Sequence, residues 1–109
     1  MIHAVIYQNR GECLGFDLSG HAGYADSGED VVCAAVSVLV INTLNSLERF
    51  TEDHFSIDTD EESGEIIFRF EHFPSHDAKL LLDAMILGLS DMADDENYDE
   101  YIQLTFEEV

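Results

Sequence analysis

The sequence predicts an α+β domain with a mostly antiparallel five-stranded sheet and two helices mainly on one face. Three observations indicate this fold. Segments of alternating apolar and polar residues occur in pairs joined by turn residues, a long apolar segment follows each pair, and one more alternating segment comes last. The order ββαββαβ is typical of a sheet that carries its helices on one side. Since the chain has 109 residues, we expect residues 1–109 to form a single domain around one core.

The first pair of strands is predicted between residues 2 and 18. Residues 2–7 suit one strand, and residues 14–18 alternate apolar with small or polar side chains in a second. Residues 9–11, Asn-Arg-Gly, supply the turn of a hairpin. Cys13 stands at the start of the second strand, where we expect it to pack as a small apolar side chain.

Residues 31–50 are the most ambiguous segment, because their many β-branched side chains favour a strand. Length decides for a helix: twenty residues would span about 65 Å as a strand and about 30 Å as a helix. Asp30 is a suitable N-cap. The first half of this helix is apolar on nearly all sides, and one small sheet covers only one of them. We therefore expect a second subunit to cover another side, which makes a homodimer.

The second half of the chain repeats the scheme. Strands are expected around residues 55–57 and 66–70, with a turn at residues 61–64 between them, and a last strand over residues 101–106. A helix is expected to open after Pro74 and to run to about residue 93.

Two residues of that second helix have predicted roles. Ser75 is its predicted N-cap. Gly88 lowers helix stability by about 1 kcal/mol, so we expect it to allow close packing against the sheet or the other helix.

The charge limits the classes of partner. Twenty-four Asp and Glu residues against four Lys and Arg residues give a net charge of −20. Such a surface repels nucleic acid and anionic membranes and attracts basic proteins. The start of the chain lacks the pattern of a signal peptide, and the longest apolar run is shorter than the roughly 20 residues that span a bilayer. We expect a cytoplasmic protein whose cysteines, Cys13 and Cys33, are reduced.

The stretch 20–37 contains the candidate site. It begins with Gly20 and His21 at a strand end, continues through a glycine-punctuated loop, and reaches Cys33 in the first turn of the predicted helix. A thiol near a helix N-terminus is favoured as thiolate, and a histidine within reach can take its proton. This arrangement is typical of a Cys/His nucleophile, and the loop over residues 22–29 could move over a bound substrate.

Two further residues are candidates for supporting roles. Ser37 lies one helical turn after Cys33 and could hydrogen-bond the sulfur, orient a substrate carbonyl, or satisfy a backbone carbonyl of its own helix. Asp30 could orient the imidazole of His21 in addition to capping the helix. One Cys and one His are too few ligands for a metal site, so we expect neither metal nor cofactor.

Other functions remain open at this level. Taken alone, Cys33 is more often a buried small side chain than a nucleophile. The protein could then be a non-catalytic acidic dimer that binds a basic protein. A redox sensor that uses Cys33 and Cys13 is a further alternative.

The motifs Gly20-His21-Ala22 and, after the loop, Asp-Val-Val-Cys-Ala-Ala-Val-Ser at residues 30–37 resemble the signature of the ribosomal-processing cysteine protease family, Prp. The similarity extends over the whole chain in length and element order. It implies a cytoplasmic, homodimeric bacterial endopeptidase that removes a short N-terminal extension from the large-subunit ribosomal protein numbered twenty-seven. For the non-catalytic alternative, the resemblance implies an acidic dimer that binds a basic ribosomal protein. It also implies that His21 and Cys33 are the catalytic pair, with Gly20, Asp30 and Ser37 in supporting positions. By hypothesis, backbone N–H groups at the helix start hold the oxyanion.

Overall fold

The computed structural model describes residues 1–20, 27–60 and 62–109, with side chains of the first helix described from Asp30 onward. The elements follow the predicted order ββαββαβ. They are β1 (Ile2–Asn9), β2 (Glu12–Ser19), α1 (Ser27–Phe50), β3 (Phe55–Asp60), β4 (Glu65–Phe70), α2 (His76–Asp94) and β5 (Ile102–Glu108).

The strands form one five-stranded sheet in the order β3-β4-β2-β1-β5. Three neighbouring pairs within the described residues are antiparallel, whereas β5 runs parallel to β1. The predicted α+β class is therefore confirmed, but the sheet is mixed rather than mostly antiparallel. The reason is that α2 carries the chain back along the sheet, so that β5 enters beside β1 in the same direction.

The predicted first hairpin is confirmed, and its turn is tight. Asn9 pairs with Glu12, so Arg10 and Gly11 alone form the loop. Both have positive φ, 55° and 78°, as a type I′ turn requires. Glycine adopts such a conformation without strain, whereas arginine adopts it at a cost.

One face of the sheet forms the core. Ile6, Phe16 and Phe68 lie side by side on three neighbouring strands and are buried. The rings of Phe16 and Phe68 stack with centroids 5.1 Å apart. The buried residues of α1 and α2 belong to the same cluster, so both helices cover this face, as predicted.

Polar side chains cross-link the opposite face. The guanidinium group of Arg69 lies 2.8 Å from a carboxylate oxygen of Asp17 and 4.5 Å from the centre of the Tyr7 ring. The Tyr7 hydroxyl donates a hydrogen bond to Asp17, which raises the pKa of Tyr7. This face is open in the chain as described, in keeping with a sheet that is solvated on one side.

The two helices pack closely at Gly88. A Cβ at this position would lie 2.7 Å from the end of the Leu39 side chain on α1. The predicted use of Gly88 for close packing is confirmed. Ser75 caps α2 as predicted, because its hydroxyl accepts a hydrogen bond from the N–H of Ala78.

Helix α1 begins at Ser27, one turn earlier than predicted. Asp30 therefore lies inside the helix and is not its N-cap. Carboxylates are favoured anywhere in the first turn, because that turn carries the positive end of the helix dipole, so an acidic residue at position 30 did not mark the boundary.

By length and composition alone, the part of α1 from Asp30 to Phe50 would suffice to cross a membrane, although its longest unbroken apolar run is shorter. Within the domain, the apolar side chains Val32, Val36 and Val40 of this helix are buried in the core. Other apolar side chains of this helix, Val31, Val38 and Ile41, are exposed in the single chain.

Candidate active site

Gly20 directly follows β2 and leads into the stretch that the sequence singled out. Its φ is +84°, and a Cβ here would collide with the carbonyl oxygen of Met1. Only glycine fits both conditions, because any other L-residue would be strained at this φ and would push away the neighbouring strand end. Gly20 therefore allows the chain to leave the sheet at this point, next to β1.

His21 and the predicted loop up to Asp26 lie outside the described residues. The remainder of that predicted loop, residues 27–29, is helical and forms the start of α1.

Cys33 is the seventh residue of α1 and lies in its second turn, not in the first as predicted. It is half-buried and packs against the core cluster, next to the buried stripe that includes Val32 and Val36. The residue is thus neither sealed in the core nor fully exposed. This position is compatible with a side chain that is held firmly and still reachable.

The earlier start of α1 places Cys33 farther from the helix terminus than predicted. Cys33 stands roughly 9 Å along the axis from Ser27, since each residue adds about 1.5 Å. The dipole effect decreases within the first turn, and the unpaired backbone N–H groups also lie in that turn. Cys33 therefore lies beyond the first turn of α1, and the roles of the helix start in acidifying its thiol and in holding the oxyanion stay predictions.

Ser37 and Asp30 take different positions around Cys33. Ser37 follows Cys33 by one turn, so both half-buried side chains project from the same flank of α1. Asp30 is exposed in the first turn. The structure brings Ser37 and Cys33 onto one flank and leaves Asp30 in solvent.

Cys13 has a different environment. It is only 4% exposed, and its thiol donates a hydrogen bond to the carbonyl oxygen of Gly15 at 3.4 Å. Burial raises its pKa from 9.0 to about 11. The predicted structural role of Cys13 is confirmed by its burial, and a buried thiol of this kind is a poor nucleophile.

The structure adds a constraint that the sequence did not reveal. Gly20 was predicted only as a supporting residue, and the signal available was a glycine at a strand end. The collision with Met1 depends on the pairing of β1 with β2, which cannot be read from a single sequence. Among residues 1–20, 27–60 and 62–109, no three His, Cys, Asp or Glu side chains are grouped closely enough to hold a metal ion.

Comparisons with known proteins agree with one another. Residues 1–103 match the model of the family described as cysteine protease Prp. The ribosomal processing cysteine protease Prp of Bacillus subtilis (strain 168) is 29% identical over 110 residues, which cover 96% of each chain. A crystal structure of Prp from Staphylococcus aureus with a substrate peptide superimposes with a TM-score of 0.90 at 25% identity and covers 98% of this chain and 100% of that one. A second, with a covalently linked product peptide, has a TM-score of 0.86 at 28% identity, with the same coverage.

Proposed function

Because this chain belongs to the Prp family of cysteine proteases, we propose that it removes the N-terminal extension from a precursor of the large-subunit ribosomal protein numbered twenty-seven. The enzyme class, cysteine protease, follows from the family itself. The observation that carries the proposal is a likeness over nearly the whole chain to a protease with a bound substrate peptide. The substrate is the one implied by the motifs at residues 20–22 and 30–37.

Cys33 is the proposed nucleophile and His21 the proposed general base. His21 takes the thiol proton, and the thiolate of Cys33 attacks the scissile carbonyl carbon. As the tetrahedral intermediate collapses, the C–N bond breaks and the imidazolium returns the proton to the leaving amine. Water, deprotonated by His21, then attacks the thioester, which releases the new carboxyl group and restores the thiol.

The described part of the site supports these assignments. Cys33 is only half-buried in the second turn of α1, as a nucleophile that substrate must reach requires. Because Cys33 lies in the second turn of α1, we expect His21 to contribute most to the ionisation of its thiol. Gly20 determines where the chain leaves β2 directly before that histidine.

The supporting residues keep their proposed roles with one change. Ser37 is placed to donate a hydrogen bond to the Cys33 sulfur or to a substrate carbonyl from the same helical flank. Asp30 no longer serves as the cap, so its proposed role is to orient His21.

The acidic surface suits a basic protein substrate. A net charge of −20 attracts a cationic chain from a distance and repels nucleic acid and anionic lipid. We place the enzyme in the bacterial cytoplasm, where ribosomal proteins are made. The proposed chemistry needs neither metal nor cofactor.

A homodimer is part of the proposal. The face of α1 opposite the core exposes an apolar stripe of Val31, Ala34, Ala35, Val38 and Ile41. Val38 is 70% exposed in the single chain. A second copy packed on this stripe would remove the apolar surface from water.

Incubation with the extended ribosomal protein, followed by intact mass, tests the function. The wild type is expected to shorten the precursor and leave the remainder intact, and Cys33→Ala is expected to leave it uncut. Cys13→Ala is the matched control, because it removes a buried thiol and should keep cleavage. Retained cleavage by Cys33→Ala at the wild-type rate would contradict the assignment.

A further inference from the structure

The outer edge of β5 is an open strand edge with a defined backbone pattern. The N–H of Ile2 donates to the carbonyl of Tyr101 at 2.8 Å, and the N–H of Val109 donates to the carbonyl of Gln8 at 3.0 Å. In a parallel ladder these two bonds determine which residues of β5 point to β1. The backbone groups of residues 103, 105 and 107 face β1. Those of Ile102, Leu104, Phe106 and Glu108 face outward.

Natural edge strands carry charged side chains, above all lysine, or proline or a bulge, which discourage pairing. The charged side chains of β5 are acidic and stand at its end, at Glu107 and Glu108. Residues 102–108 contain no Lys, Arg or Pro, and their register with β1 runs without a shift. Phe106 is 47% exposed and adds apolar surface next to the outward backbone groups. In the chain as described, β5 pairs with β1 alone and can accept another strand.

The acidic residues around β5 determine which kind of added strand is favoured. Asp99 and Glu100 precede β5, Glu107 and Glu108 end it, and residues 94–109 contain no Lys or Arg. Antiparallel pairing of two β5 edges would bring these carboxylates of one copy beside those of the other, which is unfavourable. A segment rich in Lys and Arg would meet opposite charge at both ends of the strand.

We propose that the outer edge of β5 binds an extended basic segment of the protein substrate as an added sixth strand. This inference rests on the proposed function and adds a second binding surface to it. Main-chain hydrogen bonds would supply affinity, and the flanking carboxylates would select basic sequences.

One substrate chain can reach both the outer edge of β5 and the candidate active site. Ile102 pairs with Ile2, and His3 pairs with Ser19, so β5 begins at the end of the sheet where Gly20 leads into the site. A strand added to β5 would lie three strand spacings from β2, about 14 Å. Four to five extended residues, at about 3.4 Å each, span that distance.

The test compares paired variants on two substrates, the extended ribosomal protein and a short peptide that spans only its cleavage site. Phe106→Pro removes an outward N–H and leaves the ladder with β1 intact, and Phe106→Ala keeps that N–H. Glu107→Lys reverses a charge at the β5 edge. Asp58→Lys makes the same change on β3, the opposite edge strand, on the same face of the sheet.

We expect Phe106→Pro and Glu107→Lys each to raise KM for the whole protein about 5-fold at unchanged kcat, the scale of losing one or two hydrogen bonds or charge contacts. Phe106→Ala and Asp58→Lys should stay within about 2-fold of wild type, and KM for the short peptide should not change with any of the four. If Phe106→Pro fails to fold, the comparison of Glu107→Lys with Asp58→Lys still tests whether the β5 edge binds the substrate.

Three results would overturn the inference. Equal effects of Glu107→Lys and Asp58→Lys would mean that overall charge matters and the β5 edge does not. A parallel rise in KM for the short peptide would assign the effect to the active site. A loss of oligomeric mass in Phe106→Pro would mean that a second copy occupies the edge. Fluorescence anisotropy of the labelled precursor with Cys33→Ala, alone or combined with each edge variant, measures binding without cleavage. Failure of the proposed function is therefore distinguishable from failure of the inference about the β5 edge.

Discussion

Single residues at the predicted site are constrained by their neighbours. Gly20 combines a positive φ with contact to the Met1 backbone, and Cys33 combines contact with the core and partial exposure. Cys13 differs from Cys33 chiefly in burial. These environments, rather than residue type, separate the proposed nucleophile from the structural thiol.

Gly20→Ala should impair both folding and cleavage. Gly11 provides a matched control, because its φ is +78° and a Cβ there meets nothing within 4 Å. Both substitutions cost about 1 kcal/mol for the left-handed backbone. Only Gly20→Ala adds the collision with Met1, so it should lower the melting temperature further and reduce kcat/KM well beyond Gly11→Ala. Equal kinetic effects of the two variants would argue against a positioning role for Gly20.

The two thiols should differ in alkylation rate. Burial raises the pKa of Cys13 to about 11, so at pH 8 very little of it is thiolate. Iodoacetamide should modify Cys33 in the folded protein and leave Cys13 unmodified, as peptide mass mapping would reveal. Both should react in denaturant. Protection of Cys33 equal to that of Cys13 in the native state would count against its role as nucleophile.

Elements are joined by specific polar contacts as well as by the core. Asp53, between α1 and β3, accepts hydrogen bonds from the backbone N–H of Ser75 at 2.8 Å and from its hydroxyl. The Ser75 hydroxyl in turn accepts from Ala78 in the first turn of α2. One carboxylate therefore links the end of α1 to the start of α2.

Asp53→Ala should destabilise the domain by about 1 kcal/mol at neutral pH, the usual scale for loss of a cap contact. Partial desolvation raises the pKa of Asp53, but the hydrogen bonds from Ser75 outweigh it and lower the pKa overall. A lowered folded-state pKa means that the stabilisation is present above the unfolded value, about 3.9, and is lost as pH falls through the folded pKa.

Urea unfolding at pH 7 and at pH 3 would test this linkage. The difference between wild type and Asp53→Ala should shrink at the lower pH. Glu52→Ala removes a neighbouring exposed carboxylate and should have little effect at either pH. A difference that is independent of pH would assign the loss to packing instead of charge.

At the scale of the whole molecule, two surface features favour association with other proteins. The surface is strongly acidic, and α1 leaves an apolar stripe uncovered in the single chain. The first favours basic proteins, and the second favours burial against another apolar face. Each feature predicts an association that can be measured.

Val38→Glu should convert the proposed homodimer to a monomer. The side chain is 70% exposed in the single chain, so the substitution should not disturb the monomer fold. Light scattering after size exclusion would report the mass. Leu80→Glu, at an apolar position that is 61% exposed on α2, is the matched control and should remain dimeric. Monomeric wild type, or dissociation by both variants alike, would disagree with an interface on α1.

Sequence periodicity and turn chemistry alone determined the order of elements, the hairpin at Arg10 and Gly11, the Ser75 cap and the packing role of Gly88. These features depend on residues close together in the chain, so local physics suffices to predict them. The motif around Cys33 was likewise visible as a pattern of residue types.

Tertiary structure alone decided the parallel entry of β5 beside β1, the earlier start of α1 and the contact of Gly20 with Met1. Each depends on partners distant in sequence or on the backbone geometry of a helix end, and similar residues allow more than one outcome there. Asp30 shows this well: a carboxylate suits both a cap and a first turn, and only the folded backbone distinguishes them. The turn of α1 that Cys33 occupies was for that reason decided by the fold.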